Sequence, residues 1–260
     1  MSRRGPSRSS WLQRVWPPLV AVLFFLALWQ AAATFLNIEA WLLPSPIRII
    51  SEGAAQSALL AGHTWATVKL MLGGFAIGST IGLLIAIVLH MIPFFKTSLY
   101  PLLILSQNIP IIALGPLLMI WFGFGLLPKL MVITLVCFFP VAVAAMDGFM
   151  QTDRTMMNYM RMSGAGRLRI FARLELPHAL PSVFSGIKIA ATYSVMGAII
   201  AEWIGADKGI GYYMLLQKAA YRTDLVFAAI GIIVILSLLM FLIIILLEKW
   251  LVRWQPQRKQ

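Results

Sequence analysis

Residues 225–247 read LVFAAIGIIVILSLLMFLIIILL, an unbroken apolar run with Asp224 before it and Glu248 and Lys249 after it. A helix needs about 20 such residues to cross roughly 30 Å of hydrocarbon, so the run predicts a bilayer-spanning helix rather than a strip of soluble core. Five further blocks repeat the pattern, at 16–36, 65–89, 99–121, 128–146 and 187–204, the last being the shortest. The composition agrees: 60% of residues are hydrophobic and 12% charged, against roughly 45–50% and about 25% in soluble domains. An all-α membrane protein of about six spans is expected.

The net charge of +12 lies at the ends of the apolar blocks and in one central loop, not on a soluble face, which argues against a nucleic-acid partner. With the N-terminus in the cytoplasm, the inside segments hold Arg3, Arg4, Arg8, Arg14, Lys96, Arg154, Arg161, Arg167, Arg169, Arg173, Lys188, Lys249, Arg253, Arg258 and Lys259. The outside segments hold only Arg48, Lys129, Lys208, Lys218 and Arg222, and Lys69 can snorkel from the end of the second block. An excess of Lys and Arg marks the cytoplasmic side. Both termini and the loop 150–185 are therefore expected inside, with a tail at 1–15, a membrane domain at 16–250 and a second tail at 251–260. Trp11, Trp16, Trp41, Trp65, Trp121, Trp250 and Trp254 fall near block ends, as an aromatic belt requires.

The basic start and Ala31, Ala32 and Ala33 resemble a secretory signal, but block 16–36 outruns the about 7–15 apolar residues of such a signal. An uncleaved first span is expected. Arg3-Arg4 is followed by Gly5-Pro6, not by the apolar residues of a twin-arginine signal. After Pro44-Ser45-Pro46, the apolar Ile47, Ile50, Ala54 and Leu59 alternate with Arg48, Glu52 and Gln56, which predicts a short helix lying at the interface.

Several blocks carry residues that lipid does not tolerate. The third holds Pro101, Gln107, Asn108, Pro110, Gly115 and Pro116. Such breaks free backbone groups that must face protein or a wet cavity, so Gln107 and Asn108 are candidates to line a translocation pathway. Gly74, Gly78 and Gly82 share one face of the second block beside Gly73, a spacing that serves close helix packing as readily as transport. Glu202, near the outer end of the fifth block, is a pathway candidate by its cost in a membrane, or else an interfacial carboxylate hydrated or paired with Lys208. Tyr193 and Ser194 either line the same pathway or pack. Asp147 and Asp153 are either solvated or bind the arginines of the central loop. Cys137, the sole cysteine, reads as packing.

His63, His90 and His178 show no metal-ligand spacing, and Gly205, Gly209 and Gly211 lack the strand context of a dinucleotide loop and read as an outer turn. No G-x-x-x-x-G-K-[ST], H-E-x-x-H or G-x-S-x-G occurs, so no catalytic residue, metal or cofactor is assigned and the chain is not read as an enzyme.

The central loop contains Arg161-Met162-Ser163-Gly164-Ala165-Gly166-Arg167-Leu168-Arg169-Ile170-Phe171-Ala172-Arg173-Leu174-Glu175-Leu176-Pro177, then His178-Ala179-Leu180-Pro181. It predicts a helix, a glycine break, a short amphipathic helix and a proline stop. Leu168, Phe171 and Leu174, with Ile170, form the apolar side, suited to a groove on another protein.

This loop resembles that of binding-protein-dependent ABC importer permeases, E-A-A-x-x-x-G-x9-I-x-L-P. Nine residues separate Gly164 from Leu174-Glu175-Leu176-Pro177, with Leu in place of Ile; Asn158-Tyr159-Met160 departs from Glu-Ala-Ala. The resemblance implies an ABC type I importer permease fold in which Gly164, Arg167, Leu168, Phe171, Leu174 and Pro177 build a coupling helix. That helix would dock into a separate ATP-binding subunit, so the partner uses the ATP. It also implies an extracytoplasmic solute-binding protein, a second permease copy in a homodimer, and surrounding membrane lipid.

Leu43-Pro44-Ser45-Pro46, the stretch 116–125, Phe138-Phe139-Pro140 and the stretch 201–212 resemble the nitrate, sulfonate and taurine branch, which includes importers of thiamine pyrimidine precursors and riboflavin. Stretches 109–116 and 191–195 look most like the pyrimidine-precursor permeases. The implied cargo is a formylaminopyrimidine or hydroxymethylpyrimidine. The alternatives are an alkanesulfonate, taurine, nitrate or riboflavin. A gradient-driven secondary transporter would show repeated halves, and no convincing repeat is seen. An intramembrane enzyme would have only Gln107, Asn108 and Glu202 to work with.

Overall fold

The computed structural model describes residues 8–36 and 38–252, with side chains from residue 16 onward. Arg3, Arg4, Arg253, Trp254, Arg258 and Lys259 lie outside the described residues, as do the side chains of Arg8, Trp11 and Arg14. The helices run in order α1 (Arg8–Phe35), α2 (Pro46–Ala55), α3 (Ser57–Met91), α4 (Pro93–Ser106), α5 (Ile111–Phe122), α6 (Leu126–Met150), α7 (Arg154–Met162) and α8 (Arg167–Ile170). A π turn at Phe171–Glu175 leads into α9 (Leu176–Gly205), then α10 (Ile210–Ala219) and α11 (Thr223–Leu251). No strand occurs among the described residues.

Five helical stretches are long and apolar enough to cross a membrane, within α1, α3, α6, α8–α9 and α11, and the pair α4–α5 makes a sixth if it counts as one span. The protein is thus an all-α membrane protein, with three adjustments to the expected blocks. Residues 8–15, assigned to a tail, already belong to α1. The third block is not one straight helix: α4 and α5 meet at a bend of 100°. The fifth is not short, because the chain stays helical through Pro177 and Pro181 where a stop was expected.

The physical reason for that continuity is the π turn. A proline ring in a regular α-helix clashes with the carbonyl four residues back. The cap N–H of Leu176 reaches back five residues to the Phe171 carbonyl, and the wider turn takes Pro177 into the first turn of α9, where its missing N–H costs little.

The chain divides into two compact units, the first formed by residues up to Leu60 with Met214–Gly231. Here the Ser45 hydroxyl accepts from the Arg48 N–H at 3.4 Å and starts α2. Ile47 and Ile50 stay exposed, forming the amphipathic face anticipated from the sequence. The other face is tied by ions: Arg48 meets Asp224 at 3.2 Å, and Arg222 meets both Glu52 at 2.8 Å and Asp224 at 3.1 Å. The hydrogen bond to Asp224, ahead of the neighbouring negative charges, raises the Arg222 pKa above its usual value, so the guanidinium stays charged. A cavity of about 320 Å³ beside this network is lined by Glu39, Trp41 and Tyr221 among others.

The second unit comprises Ala61–Tyr213 and the chain from Ile232 on. The glycine face of the second block proves to be a packing face. A Cβ added at Gly78 would lie 2.6 Å from the Thr134 carbonyl oxygen and 2.8 Å from Cys137 Cβ, and one at Gly82 would lie 2.6 Å from the Phe138 carbonyl oxygen. α3 and α6 therefore run parallel with their backbones nearly touching. α6 and α9 run antiparallel at similar range, with Gly186 against Pro140 and Gly148 against Ser182. Cys137 is buried in this core and its thiol donates to the Ala190 carbonyl at 3.5 Å. Lys188 of α9 pairs with Glu248 of α11 at 3.1 Å.

Candidate functional site

Asp153 opens the loop that the motif singled out. Its carboxylate accepts from the Thr155 N–H at 2.7 Å and caps α7. Asp147 accepts from the Tyr100 hydroxyl at 3.2 Å. Among the described residues, neither aspartate forms an ion pair with the loop arginines.

α7 ends at Gly164, whose φ of +76° lies in the left-handed region. The Gly164 N–H and the Ala165 N–H bond back to the Arg161 and Met160 carbonyls at 3.0 Å each, closing the helix end. A Cβ at Gly164 would meet nothing within 4 Å, so the glycine is required by backbone conformation alone.

The chain then turns into α8 and sorts its apolar residues in an unexpected way. Leu168 is 73% exposed and Met162 89% exposed, with Met156 and Tyr159 also exposed on α7. Phe171, assigned to the docking side, is only 8% exposed. Its ring lies 5.3 Å from that of Phe149 and 6.1 Å from that of His90. Ile170 is buried as well, while Leu174 and Pro177 are half-buried. Ile170 and Phe171 turn into the protein's own core where α8 runs into the π turn, and Leu168 is left outside. The free apolar surface consists of Met156, Tyr159, Met162 and Leu168, with Arg169 and Arg173 exposed nearby.

Beneath this surface lies a buried charge cluster that the sequence did not reveal. Glu175 is 0% exposed. Its Oε1 accepts from Arg167 Nη1 at 2.8 Å and its Oε2 meets His90 Nε2 at 2.9 Å. Arg167 Nη2 also donates to the His90 carbonyl at 3.3 Å. The only signal was the glutamate inside Leu174-Glu175-Leu176-Pro177, and nothing in the sequence linked it to His90.

At the other end of α3 and α9, Glu202 is buried. It accepts from the Thr67 hydroxyl and from the Gly211 N–H, each at 2.7 Å. Thr67 in turn accepts from the Ile210 N–H at 2.8 Å, and His63 Nδ1 from the Gly209 N–H at 3.1 Å. A Cβ at Gly209, whose φ is +120°, would collide with the Glu202 carboxyl. Glu202 is thus neither an exposed pathway carboxylate nor a partner of Lys208. It accepts the Gly211 N–H and holds the Thr67 hydroxyl that accepts the Ile210 N–H, so the first two N–H groups of α10 find acceptors.

The polar residues of the third block sit at the bend. Gln107 ends α4, and the Leu105 carbonyl accepts both the Asn108 N–H at 3.1 Å and the Asn108 side-chain amide at 3.2 Å. Both residues are exposed. Tyr193 is exposed on α9, whereas Ser194 is buried and its hydroxyl donates to the Ala191 carbonyl at 2.8 Å. No group of metal-ligating side chains occurs among the described residues.

An all-helical bundle with a broken span, closely packed glycine faces and a helix–glycine–helix element at one end defines a membrane permease. Residues 78–255 match the family described as binding-protein-dependent transport system inner membrane component, and the chain belongs to it. It is 34% identical over 228 residues to a probable ABC transporter permease protein of Haemophilus influenzae, covering 88% of this chain and 93% of that one. It is 34% identical over 251 residues to the formylaminopyrimidine transport permease protein of Halalkalibacterium halodurans, covering 95% and 100%. With the riboflavin transport system permease protein of Chloroflexus aurantiacus it shares 32% identity over 260 residues, covering 98% and 97%. More distant relatives include aliphatic sulfonate and taurine permeases of Escherichia coli. The chain is the multi-pass inner-membrane permease subunit of an ABC importer, not an enzyme, and its family works with an ATP-binding subunit and a solute-binding protein.

Proposed function

We propose that this permease carries a thiamine pyrimidine precursor, of formylaminopyrimidine or hydroxymethylpyrimidine type, into the cell. The likeness to the formylaminopyrimidine permease along 95% of this chain supports that cargo. The riboflavin relative, matched over 98% of the chain, supports riboflavin as the second cargo to test. Two copies would enclose the pathway, with both termini and the loop 150–185 in the cytoplasm. Gln107, Asn108 and Tyr193 are the candidates to line it.

The observation that carries the mechanism is the exposed apolar face of Met156, Tyr159, Met162 and Leu168 around the Gly164 break. That face docks the ATP-binding subunit, and Gly164 sets the angle between α7 and α8. ATP hydrolysis therefore belongs to the partner, and this chain needs no cofactor of its own. Uptake of labelled hydroxymethylpyrimidine, formylaminopyrimidine, riboflavin and taurine, measured in cells with and without the permease, tests the cargo. Transport of taurine alone would overturn the pyrimidine assignment. Gly164→Val tests the docking element. The left-handed conformation costs a β-branched residue about 1 kcal/mol or more, and the expected result is several-fold weaker co-purification of the ATPase with normal membrane insertion. Full ATPase retention would remove the segment from the interface.

A further inference from the structure

Arg167, Glu175 and His90 join three parts of the chain that the surface does not connect. Arg167 starts α8 with its side chain 40% exposed, beside the apolar docking face. Glu175 closes the π turn and is wholly buried. His90 sits in the last turn of α3, its ring packed 5.1 Å from Phe149 and 6.1 Å from Phe171. One guanidinium grips both the Glu175 carboxylate, at 2.8 Å, and the His90 main-chain carbonyl, at 3.3 Å. The same carboxylate holds the His90 ring at 2.9 Å.

A buried carboxylate is a poor device for stability alone. Desolvation offsets much of the attraction, and an apolar replacement is often neutral or better. Its best-attested use is to fix register between elements, and here the elements are α8 and the end of α3. The arginine fork is suited to this, since its planar donors hold two acceptors at fixed geometry, which the rotatable donors of a lysine do not. The π turn lies inside the connection, and such turns recur at functional positions.

We infer that Arg167, Glu175 and His90 are positioning residues that transmit displacement of the α7–α8 segment into α3, so that the end of α3 moves with the ATPase. The inference rests on the docking role proposed for residues 154–175. α3 carries the glycine face packed on α6 and, at its far end, Thr67 in the Glu202 network. A shift delivered at His90 therefore acts on a helix that reaches the opposite end of the bundle.

The test is hydrogen–deuterium exchange by mass spectrometry on the full permease–ATPase complex in lipid nanodiscs, with and without ATP plus vanadate. In the parent, nucleotide should change protection both in residues 154–175 and in residues 83–91. In Glu175→Gln, which keeps the shape and loses the charge, the change in 154–175 should persist. The change in 83–91 should fall by about three-fold or more, within the range of altered coupling networks. Arg167→Gln, at a half-exposed position that folding tolerates, should do the same, and Arg167→Lys should restore only part of the response. Co-purification of the ATPase should be unchanged in Glu175→Gln, whose side chain is wholly buried.

A merely structural role predicts another pattern: faster exchange at 83–91 already without nucleotide, and an undiminished nucleotide-dependent difference. That pattern, or a full response at 83–91 in both Glu175→Gln and Arg167→Gln, overturns the inference while leaving the docking role intact. Absence of any response at 154–175 in the parent, with ATPase binding indifferent to Gly164→Val, would overturn both.

Discussion

Phe171 and Leu168 are three residues apart, both apolar, and both fit a docking helix when read from sequence, yet the structure assigns them opposite work. Phe171 packs into the cluster of Ala86, Leu89, Met146, Phe149 and Ala179, whereas Leu168 touches no core. Removing a buried Phe side chain costs about 3–5 kcal/mol, and aromatic pairing adds about 0.5–1.5 kcal/mol to what area alone supplies. Phe171 keeps a small exposed edge, so the lower bound of about 3 kcal/mol is the better figure for Phe171→Ala. At 1.4 kcal/mol per tenfold, that is on the order of 100-fold in the balance between the packed and opened forms of this end of the bundle. Leu168→Asp, on an open surface, should alter stability by no more than about 0.5 kcal/mol. The assay is a pair of measurements on each variant: the fraction remaining monodisperse after a graded heat step, and the ATPase recovered with the permease. Phe171→Ala should lose heat resistance first, whereas Leu168→Asp should keep it and lose the ATPase. A Phe171→Ala protein as heat-resistant as the parent but free of ATPase would place the ring at the partner and refute the inward assignment.

Gly78→Val should lower membrane-inserted yield several-fold, because its side chain meets the Thr134 carbonyl and Cys137, while Gly62→Ala, with nothing within 4 Å of the new Cβ, should match the parent; equal yields would mean α3 and α6 are further apart than described. Asn108→Leu removes an exposed amide at the α4–α5 break while the Leu105 carbonyl keeps the residue's backbone N–H at 3.1 Å; it should reduce uptake without loss of assembly, and unchanged uptake at normal expression would take Asn108 out of the pathway. In a Cys137→Ser background, an impermeant maleimide added to sealed cells should label Lys208→Cys and not Arg169→Cys. The reverse pattern would invert the proposed topology. Glu202→Leu leaves the Gly211 N–H short of a buried acceptor, at about 1–3 kcal/mol, while the Thr67 hydroxyl keeps the His63 carbonyl at 3.3 Å; the α10 N-terminus should then be cleaved faster by limited proteolysis, and an unchanged digestion pattern would show that the carboxylate caps nothing there.

What the sequence made legible was set by period and spacing. The apolar runs marked α1, α3, α6 and α11 because length and hydropathy alone decide whether a helix crosses a bilayer. The glycine repeat left packing and transport equally open, and the structure puts α6 against that face. The motif around Gly164 marked the break between α7 and α8, and there the backbone does take the left-handed conformation. Prolines were less readable. Pro101 and Pro116 sit inside α4 and α5, and Pro140 and Pro181 inside α6 and α9, while the 100° bend falls at Pro110. A proline breaks a helix only where neighbours cannot satisfy the carbonyl it frees, and that depends on packing.

Side-chain direction after residue 170 was unreadable for a different reason. Amphipathic reasoning assumes 3.6 residues per turn, and the π turn at Phe171–Glu175 breaks that assumption at the very residues on which the docking face was drawn. The wider turn brings Glu175 onto His90, 85 positions away in sequence, whereas Phe171 is already turned inward beside the buried Ile170 where the turn begins. Glu202 illustrates the same limit. Its sequence cost was judged against lipid, yet the donors that satisfy it, Thr67 and Gly211, come from the far end of another helix and from the start of the next. An acidic residue in an apolar block therefore identifies a place where the backbone needs an acceptor as readily as a place where a solute passes. Only the positions of the surrounding N–H groups separate the two, and at Glu202 they favour the acceptor.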